Sequence, residues 1–528
     1  MQFTPAALDK LSLAELVGQM IVVRTSGHLL DRQIQYPVWE SKAEALQHYV
    51  QNLNVGGVIF LGGSVAELAM RTSQIQAWAK YPLLMAADIE EGVGQRFPGA
   101  TWFPPPMALS AIEDQTKAQE YARQMGAITA QESLAVGLNW ILGPIVDVNN
   151  NPKNPVINVR AFGETPEAVS SLANAFIAGV ADYPILTCAK HFPGHGDTAT
   201  DSHLDLPVIN HGVDRLRQTE LPPFQSAIKA GVDSVMTAHL LIPSLDKDFP
   251  ATLSHKILTG ELRENMNFGG LIVTDALVMG AIVKKYGAEA ASVMAVEAGA
   301  DIVLMPVDVP KSITAICQAV KTGKISEEQI RASVARIWAA KRKVFGQAVT
   351  SEVFALGVIA DRSQAVVTNI HQDSLQTRGD LPIESMGGVN LIIVDEILDC
   401  PFLGRMAPAL IVPRELGYEC HIINKYTPPR YQTKDQLTIL QVFIRGNPFA
   451  SISDAKSIAL DICGRHSGNL QAVIVYGSPY VFADIKKALH DDVPCIFSYG
   501  QMPSAQAVAL DRLFGDSEDL DEDQSGMA

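Results

Sequence analysis

Short apolar runs alternate with longer segments of helical periodicity over the first 340 residues. Eight runs of four or five residues have the length and composition of buried strands. They are Met20–Val23, Gly57–Leu61, Leu83–Ala87, Leu138–Leu142, Ile185–Ala189, Ser234–Ala238, Leu271–Thr274 and Ile302–Met305. Glu120–Val136 and Glu289–Glu297 are examples of the helices predicted between them. This alternation predicts an α/β fold, a (β/α)8 TIM-like barrel. A doubly wound sheet shares the alternation, but no Gly-x-Gly-x-x-Gly follows the first strand.

A second α/β pattern follows the barrel. Ser326–Arg342 is predicted to be a closing helix, because Ser326 is a suitable N-cap and two glutamates follow it. Further strands are predicted at Val389–Val394, Ile439–Ile444, Ala472–Val475 and Pro494–Ser498, and helices at Ser453–Ile462 and Val481–Leu489. The predicted organisation is a barrel over 1–345, a connector over 346–388, a C-terminal α/β sandwich domain over 389–515 and an acidic disordered tail over 516–528.

Composition narrows the range of partners and compartments. The chain of 528 residues has 41 Lys plus Arg and 57 Asp plus Glu, a net charge of -16, which argues against nucleic acid as a partner. Six scattered cysteines without a C-x-x-C pair favour a reducing compartment. Without a visible signal peptide or a long apolar run, we expect a soluble, cytoplasmic protein that binds no membrane. The oligomeric state stays open, with a monomer as the simplest case.

Polar residues recur at the ends of the predicted strands, where barrel enzymes carry their active sites. Asp88, Lys190, His191, His239 and Asp275 occupy these positions. A packed core would not place charges there repeatedly. The strand count alone therefore predicts a functional face at this end of the barrel.

The densest polar segment runs from Lys190 to Thr198 and continues through Asp201-Ser202-His203. In an extended segment Asp201 and His203 project to one side, so the carboxylate could orient the imidazole for proton transfer. Catalysis or substrate binding is the favoured interpretation. A metal site and a purely structural loop network are the alternatives, although the spacing is not typical of zinc.

Three further positions are candidates, each with a structural alternative. Asp275 follows an apolar strand and could face an anomeric carbon, or could equally be a helix N-cap. Asp88, with Arg96 nearby, could bind sugar hydroxyls or form a surface ion pair. Arg160, in the loop after the fourth strand, is weak evidence by itself.

Together these segments resemble glycoside hydrolase family 3, and within it the β-N-acetylglucosaminidases of the peptidoglycan-recycling type. The stretch from Lys190-His191-Phe192-Pro193-Gly194-His195-Gly196 to His203 is similar to that subgroup's signature loop. Gly270 to Met279 is similar to the family's nucleophile motif, and Tyr476-Gly477-Ser478-Pro479-Tyr480 resembles its C-terminal domain. The chain departs from its relatives in two places, since they often carry an Arg near Val93 and a second Asp near Ala276.

The resemblance implies a retaining exo-β-N-acetylglucosaminidase that removes terminal β-linked GlcNAc from peptidoglycan or chitin-type fragments. In that interpretation Asp275 is the nucleophile, and His203, polarised by Asp201, is the acid/base. The positions that would bind the terminal sugar are Asp88, Arg96, Arg160, Lys190 and His191. No metal and no cofactor is implied.

Three alternatives remain open at this stage. A histidine acid does not repel an incoming anion, so phosphate could replace water and make the protein a β-N-acetylglucosaminide phosphorylase. A β-glucosidase of the same family would use a glutamate from the second domain as its acid. A sugar-binding protein that has lost catalysis is disfavoured, because Asp275 and the Asp201/His203 pair are all present.

Overall fold

Eight parallel strands close into a ring in the N-terminal part of the chain. They are β1 (Ile21–Ser26), β2 (Gly57–Leu61), β3 (Leu84–Ala87), β4 (Trp140–Ile141), β5 (Cys188–Phe192), β6 (Ser234–Thr237), β7 (Leu271–Val273) and β8 (Val303–Leu304). Five pair in the order β4-β3-β2-β1-β8 and three in the order β5-β6-β7. Parallel bridges between Trp140 and Leu186 and between Val273 and Ile302 join the two groups. The predicted barrel is confirmed.

The structure is a computed structural model that describes residues 5–198, 206–346, 356–395, 397, 400–424, 436–445, 454–465 and 467–515. The chain divides into two units, one formed by residues 1–106 and 114–364 and the other by 107–113 and 365–528. The predicted acidic tail lies outside the described residues. The predicted connector contains a 19-residue helix and a short strand.

Helices follow the barrel strands. In the first unit they are α1 (Pro5–Leu8), α2 (Leu13–Gln19), α3 (Ala43–Gln51), α4 (Val65–Trp78), α6 (Gln115–Ala135), α7 (Pro166–Val180), α8 (Val213–Gln218), α9 (Leu221–Lys229), α10 (Gly280–Tyr286), α11 (Ala288–Ala298), α12 (Val309–Lys321) and α13 (Glu327–Phe345). The short α5 (Met107–Ser110) belongs to the second unit. A π-helix spans Lys256–Asn265, and 3-10 turns span Asp31–Gln33, Val93–Gln95, Asn158–Arg160 and Ala251–Leu253. Ser326 caps α13 by accepting from the Gln329 amide, as predicted.

The fifth barrel strand is shifted along the chain from its predicted position. The apolar pattern places the fifth strand at Ile185–Ala189, but β5 spans Cys188–Phe192 and includes Lys190 and His191. Both side chains are buried within the strand, where the Lys190 ammonium pairs with Glu90 from the loop after β3 and His191 contacts Asp147 from the loop after β4. A hydrophobicity pattern cannot predict such a strand, since its polar residues become favourable only through partners distant in sequence.

The second unit contains a six-stranded sheet in the order β11-β10-β12-β13-β14-β9. Its strands are β9 (Gln376–Arg378), β10 (Gly388–Val394), β11 (Tyr418–Ile423), β12 (Thr438–Ile444), β13 (Leu470–Gly477) and β14 (Cys495–Ser498). Among the described strands of this sheet, only β9 is antiparallel to its neighbour. The helices of this unit are α15 (Pro408–Glu415), α16 (Asp454–Arg465), α17 (Pro479–Ala488) and α18 (Pro503–Phe514), and α14 (Leu356–Ser374) begins in the first unit and ends in the second. The predicted C-terminal α/β fold is confirmed.

The sequence prediction missed the two edge strands, β9 and β11. The three residues of β9 are polar and partly exposed, and the middle of β11, Glu419 and Cys420, is exposed. Edge strands can carry polar residues because one side faces solvent, so they lack the apolar run that reveals a central strand. None of the helices that the structure describes is long and apolar enough to cross a lipid bilayer.

A buried histidine in α14 makes the stability of the second unit depend on pH. His371 is fully buried, and neither ring nitrogen has a hydrogen-bond partner among the described residues. Burial lowers its pKa to about 3. Between pH 6.5 and 3 the unfolded state therefore binds a proton that the folded state does not, so stability is lost as the pH falls.

We expect His371→Leu to remove this pH dependence. From pH 7.5 to pH 5.0 the unmodified protein should lose about 2 kcal/mol more stability than the variant, and the variant should be at least as stable at pH 7.5 because no polar group is left unpaired. Calorimetry at both pH values measures this. His490→Leu, at an exposed histidine of the same unit, is the control. Equal pH dependence in the His371 variant and the unmodified protein would contradict the prediction.

Candidate active site

A chain of ion pairs connects the end of β3, strand β5 and the loop after β4. The Lys190 Nζ atom lies 2.7 Å from Asp88 Oδ1 and 2.7 Å from Glu90 Oε1. Arg160 donates two hydrogen bonds of 2.8 Å, one to each carboxylate oxygen of Glu90. The side chains of Lys190 and Glu90 are 2% exposed, whereas that of Asp88 is 35% exposed. Asp88 is therefore the accessible end of a buried network. It pairs with a buried lysine and does not form the surface ion pair that the sequence allowed.

The charges of this network are mutually stabilised. Burial alone would raise the pKa of Glu90, but Arg160 and Lys190 hold it well below the ordinary value of 4.5. Burial alone would lower the pKa of Lys190, but Asp88 and Glu90 raise it above its ordinary value. Both groups therefore stay ionised at neutral pH. The network presents fixed donors and acceptors, which suit the hydroxyl groups of a sugar.

Arg96 fixes the backbone beside Asp88. Its Nε donates a 3.0 Å hydrogen bond to the Asp88 carbonyl oxygen, and a 3-10 turn over Val93–Gln95 places it there. The turn is preceded by Gly92, whose φ of 88° lies in the left-handed region. A Cβ added at this position would lie 2.6 Å from the Thr101 carbonyl oxygen. Glycine at this position therefore lets the loop double back toward the strand end.

A second buried acid, Asp147, organises the segment that begins in β5. Its Oδ2 lies 2.8 Å from His191 Nδ1, and its Oδ1 accepts a 2.6 Å hydrogen bond from the His195 amide. Burial raises the pKa of Asp147, but His191 and His195 lower it by more, so the net shift is downward. The structure thus shows an Asp–His pair that the sequence did not predict, with the imidazole only 7% exposed.

The glycine and proline motif after β5 is pressed against the barrel. Asn154 donates hydrogen bonds of 2.8 and 2.9 Å to the carbonyl oxygens of His195 and Gly196. A Cβ on Gly196 would lie 1.7 Å from the Val148 carbonyl oxygen. Glycine at 196 is therefore required by packing. The described part of this segment is therefore closely packed next to the Asp147–His191 pair.

Asp275 is the second residue after β7 and is partly exposed at the same end of the barrel. Its Oδ1 accepts a 2.7 Å hydrogen bond from the Ala276 amide, and the Ala276 carbonyl oxygen lies 3.1 Å from Nε2 of the buried His239. The next helix, α10, begins after Met279, without a side-chain cap. The N-cap alternative for Asp275 is therefore wrong.

Asp201 and His203, the predicted acid/base pair, lie outside the described residues. The residues on either side of that segment contact each other: Asp197 Oδ2 is 2.7 Å from His211 Nε2 and 3.7 Å from Arg215 Nη2. Among the described residues, no group of three His, Cys, Asp or Glu could hold a metal ion.

The structure brings together most of the predicted sugar-binding residues. Asp88, Arg96, Arg160 and Lys190 form one connected network, and His191 is adjacent to Lys190 in the strand. The predicted site did not include Glu90 or Asp147, although both follow predicted strands, as the chosen acids do. Position relative to the strand end is the signal that could have identified them.

Comparison with known proteins agrees with this geometry. The family model described as the Glycosyl hydrolase family 3 N terminal domain matches residues 12–340, and the Bacterial Glycosyl hydrolase family 3 C-terminal domain matches residues 383–515. The chain belongs to glycoside hydrolase family 3. The family predicted from the motifs is therefore confirmed.

Several known proteins resemble the chain over much of its length. Beta-hexosaminidase A of Pseudoalteromonas piscicida is 31% identical over 72% of this chain and 69% of its own length. The beta-hexosaminidase of Thiobacillus denitrificans is 36% identical over 48% of this chain and 71% of its own. The structure of a family 3 beta-N-acetylglucosaminidase from Paenibacillus sp. superposes with a TM-score of 0.81 at 29% identity, covering 96% of this chain and 97% of that one.

The fold itself is shared more widely. A beta-glucoside phosphorylase, BglX, superposes with a TM-score of 0.79 at 23% identity, covering 97% of this chain and 92% of that one. At this identity the likeness concerns the architecture alone. The chemistry must therefore be argued from the side chains at the barrel end.

Proposed function

We propose that this chain is a retaining exo-β-N-acetylglucosaminidase, a β-N-acetylhexosaminidase that hydrolyses terminal β-linked GlcNAc. The observation that carries the proposal is the buried Arg160–Glu90–Lys190–Asp88 network, which ends in an accessible carboxylate on the barrel face that also carries Asp275. Such a network can hold one sugar ring by its hydroxyl groups beside a second, separate carboxylate. The beta-hexosaminidase and beta-N-acetylglucosaminidase names of the relatives support GlcNAc as that sugar.

The proposed mechanism has two steps. Asp275 attacks the anomeric carbon and forms a covalent glycosyl-enzyme, while His203 protonates the departing oxygen. His203 then removes a proton from water, which attacks the same carbon and releases the sugar with its configuration retained. Asp201 is proposed to orient His203 and to stabilise its protonated form. The network around Asp88 keeps the terminal sugar in one orientation through both steps.

The substrate is tested with matched aryl glycosides. We expect p-nitrophenyl N-acetylglucosaminide to be cleaved far faster than the corresponding glucoside, with NMR showing the β-anomer as the first product. Much faster cleavage of the glucoside would make the protein a β-glucosidase and overturn the proposal.

The acceptor and the natural glycan are tested together. Peptidoglycan and chitin fragments are digested with and without inorganic phosphate, and products are identified by mass spectrometry. Free GlcNAc in both conditions supports hydrolysis. Formation of GlcNAc 1-phosphate at the expense of free sugar would identify a phosphorylase, the alternative that a histidine acid allows.

We expect His203→Ala to lose activity in a way that depends on the leaving group. General acid catalysis contributes about 100-fold or more to departure of a poor leaving group, and little to departure of an activated phenol. The variant should therefore lose about 100-fold in kcat on fragments with a sugar leaving group, and much less on dinitrophenyl N-acetylglucosaminide. His255→Ala, at an exposed histidine before the π-helix, is the control. An equal loss on both substrates would exclude His203 as the acid.

A further inference from the structure

His239 is a buried polar residue at the barrel end that the proposed mechanism does not use. It is the second residue after β6 and is fully buried. Its Nδ1 lies 2.8 Å from the hydroxyl oxygen of Thr252, which in turn lies 2.9 Å from the hydroxyl oxygen of Thr237. Its Nε2 lies 3.1 Å from the Ala276 carbonyl oxygen. Both ring nitrogens are therefore engaged, and the contacts on two sides fix the plane of the ring.

The direction of the contact with Ala276 follows from the chemistry of its partner. A carbonyl oxygen can only accept a hydrogen bond, so Nε2 of His239 must carry the proton. This holds whether the ring is neutral or charged, because Nε2 is protonated in both forms that fit the contact. The ring is thus a fixed N–H donor to the Ala276 carbonyl oxygen.

Ala276 connects this histidine to the proposed nucleophile. The Ala276 amide donates a 2.7 Å hydrogen bond to Asp275 Oδ1. The Ala276 carbonyl oxygen accepts from His239 and, at 3.1 Å, from the Met279 amide. A backbone rotation at Ala276 that breaks the contact with His239 would also move the amide that faces the carboxylate. The orientation of Asp275 is therefore coupled to His239 through a single residue.

The contact lies beyond the point where backbone pairing between β6 and β7 ends. The last pair in register is Met236 with Val273, and His239 and Ala276 each follow three residues later. On the opposite side, the Leu277 amide donates a 3.0 Å hydrogen bond to a carbonyl oxygen of β8. The side chain of His239 thus continues the attachment of the nucleophile segment to β6 after the backbone ladder has stopped.

We propose that His239 positions the nucleophile: by donating to the Ala276 carbonyl oxygen, it holds the Ala276 amide against Asp275 and so fixes the direction in which the carboxylate points. This inference rests on the proposed function, in which Asp275 attacks the anomeric carbon. Attack requires the carboxylate in one geometry, and a displacement of about 1 Å can cost about 100-fold in rate. Because His239 acts through Ala276 and Asp275, it is a positioning residue.

Two substitutions at position 239 separate positioning from packing. His239→Leu fills the space without a donor, and His239→Gln restores an N–H near the place of Nε2. With p-nitrophenyl N-acetylglucosaminide we expect the Leu variant to lose about 100-fold in kcat with little change in KM. The Gln variant should keep at least about a tenth of the original kcat. A fluorinated glycosyl inactivator, followed by intact mass spectrometry, should label the Leu variant more slowly to a similar extent.

The same exchange at another buried histidine is the matched control. His371→Leu, in α14, should leave kcat unchanged. If Asp275→Ala remains active, the proposed function itself fails. If Asp275→Ala is inactive but His239→Leu and His239→Gln lose kcat equally, or change KM alone, only the positioning role is overturned.

A second pair of variants tests the proposal if His239→Leu does not fold. Thr252→Ser keeps the hydroxyl beside Nδ1, and Thr252→Val removes it. The Ser variant should keep the original kcat, and the Val variant should lose about tenfold, the equivalent of one hydrogen bond that holds the ring. Equal kcat values for Thr252→Val and Thr252→Ser would overturn the proposal.

Discussion

Replacing Asp275 with Ala should lower kcat on aryl N-acetylglucosaminides by roughly four orders of magnitude, the scale expected when a covalent nucleophile is removed. The fold should be retained, because the side chain is partly exposed and follows the barrel strand rather than packing in the core. This loss should exceed that of His203→Ala, since an activated leaving group needs little acid assistance but still needs a nucleophile.

The Asp275→Ala variant also allows a chemical rescue. A small anion such as azide can occupy the space of the missing carboxylate and attack from the same side, so the expected product is the α-glycosyl azide. Asp248→Ala, which removes an exposed acid from the loop after β6, is the matched control and should leave kcat unchanged. A rate for Asp275→Ala equal to that of the unmodified protein would remove Asp275 from its proposed role.

Replacing Glu90 with Gln should destabilise the barrel by about 3–5 kcal/mol, because it leaves the buried charges of Arg160 and Lys190 with one carboxylate fewer. Gln has nearly the same shape as Glu, so the loss of stability measures the contribution of the negative charge. Since the pKa of Glu90 is held below its ordinary value, its stabilisation is fully present above pH 4.5 and is lost as the pH falls through the lowered pKa. The difference between the two proteins should therefore be constant from pH 6 to pH 8.

Urea unfolding measures this difference, and a surface pair provides its control. Glu120→Gln breaks an ion pair with Arg123 on α6, where both side chains are 46% exposed, and should cost within about 1 kcal/mol. The Glu90 variant should also lose affinity for the sugar, because Lys190 is no longer held against Asp88 by a balanced network. Equal stability losses in the two variants would contradict the buried character assigned to Glu90.

The barrel could be predicted because its strands are apolar and buried on both faces, which gives continuous hydrophobic runs. Strand β2 has the predicted bounds, Gly57–Leu61. The pattern failed where burial depends on tertiary partners, as in β5, where Lys190 and His191 are paired with acids 44 or more residues away in the chain. No local pattern contains that information.

Part of the candidate site could also be predicted from the sequence. Motif resemblance selected Asp88, Arg96, Arg160 and Lys190, and the structure connects them. It did not select Glu90: the position after a predicted strand marked that residue, but its pairing with Arg160, 70 positions away, is visible only in the structure. The acid/base role of His203 stays a prediction, since Asp201 and His203 lie outside the described residues.

The network around Lys190 has one further consequence. Two acids, Asp88 and Glu90, face two bases, Lys190 and Arg160, so their formal charges cancel. A neutral ligand held by such a balanced set gains directional hydrogen bonds without a net attraction that mobile ions could screen. Affinity for an uncharged glycan end should accordingly vary little with ionic strength, and selectivity at this position would derive from the arrangement of dipoles instead of from overall potential.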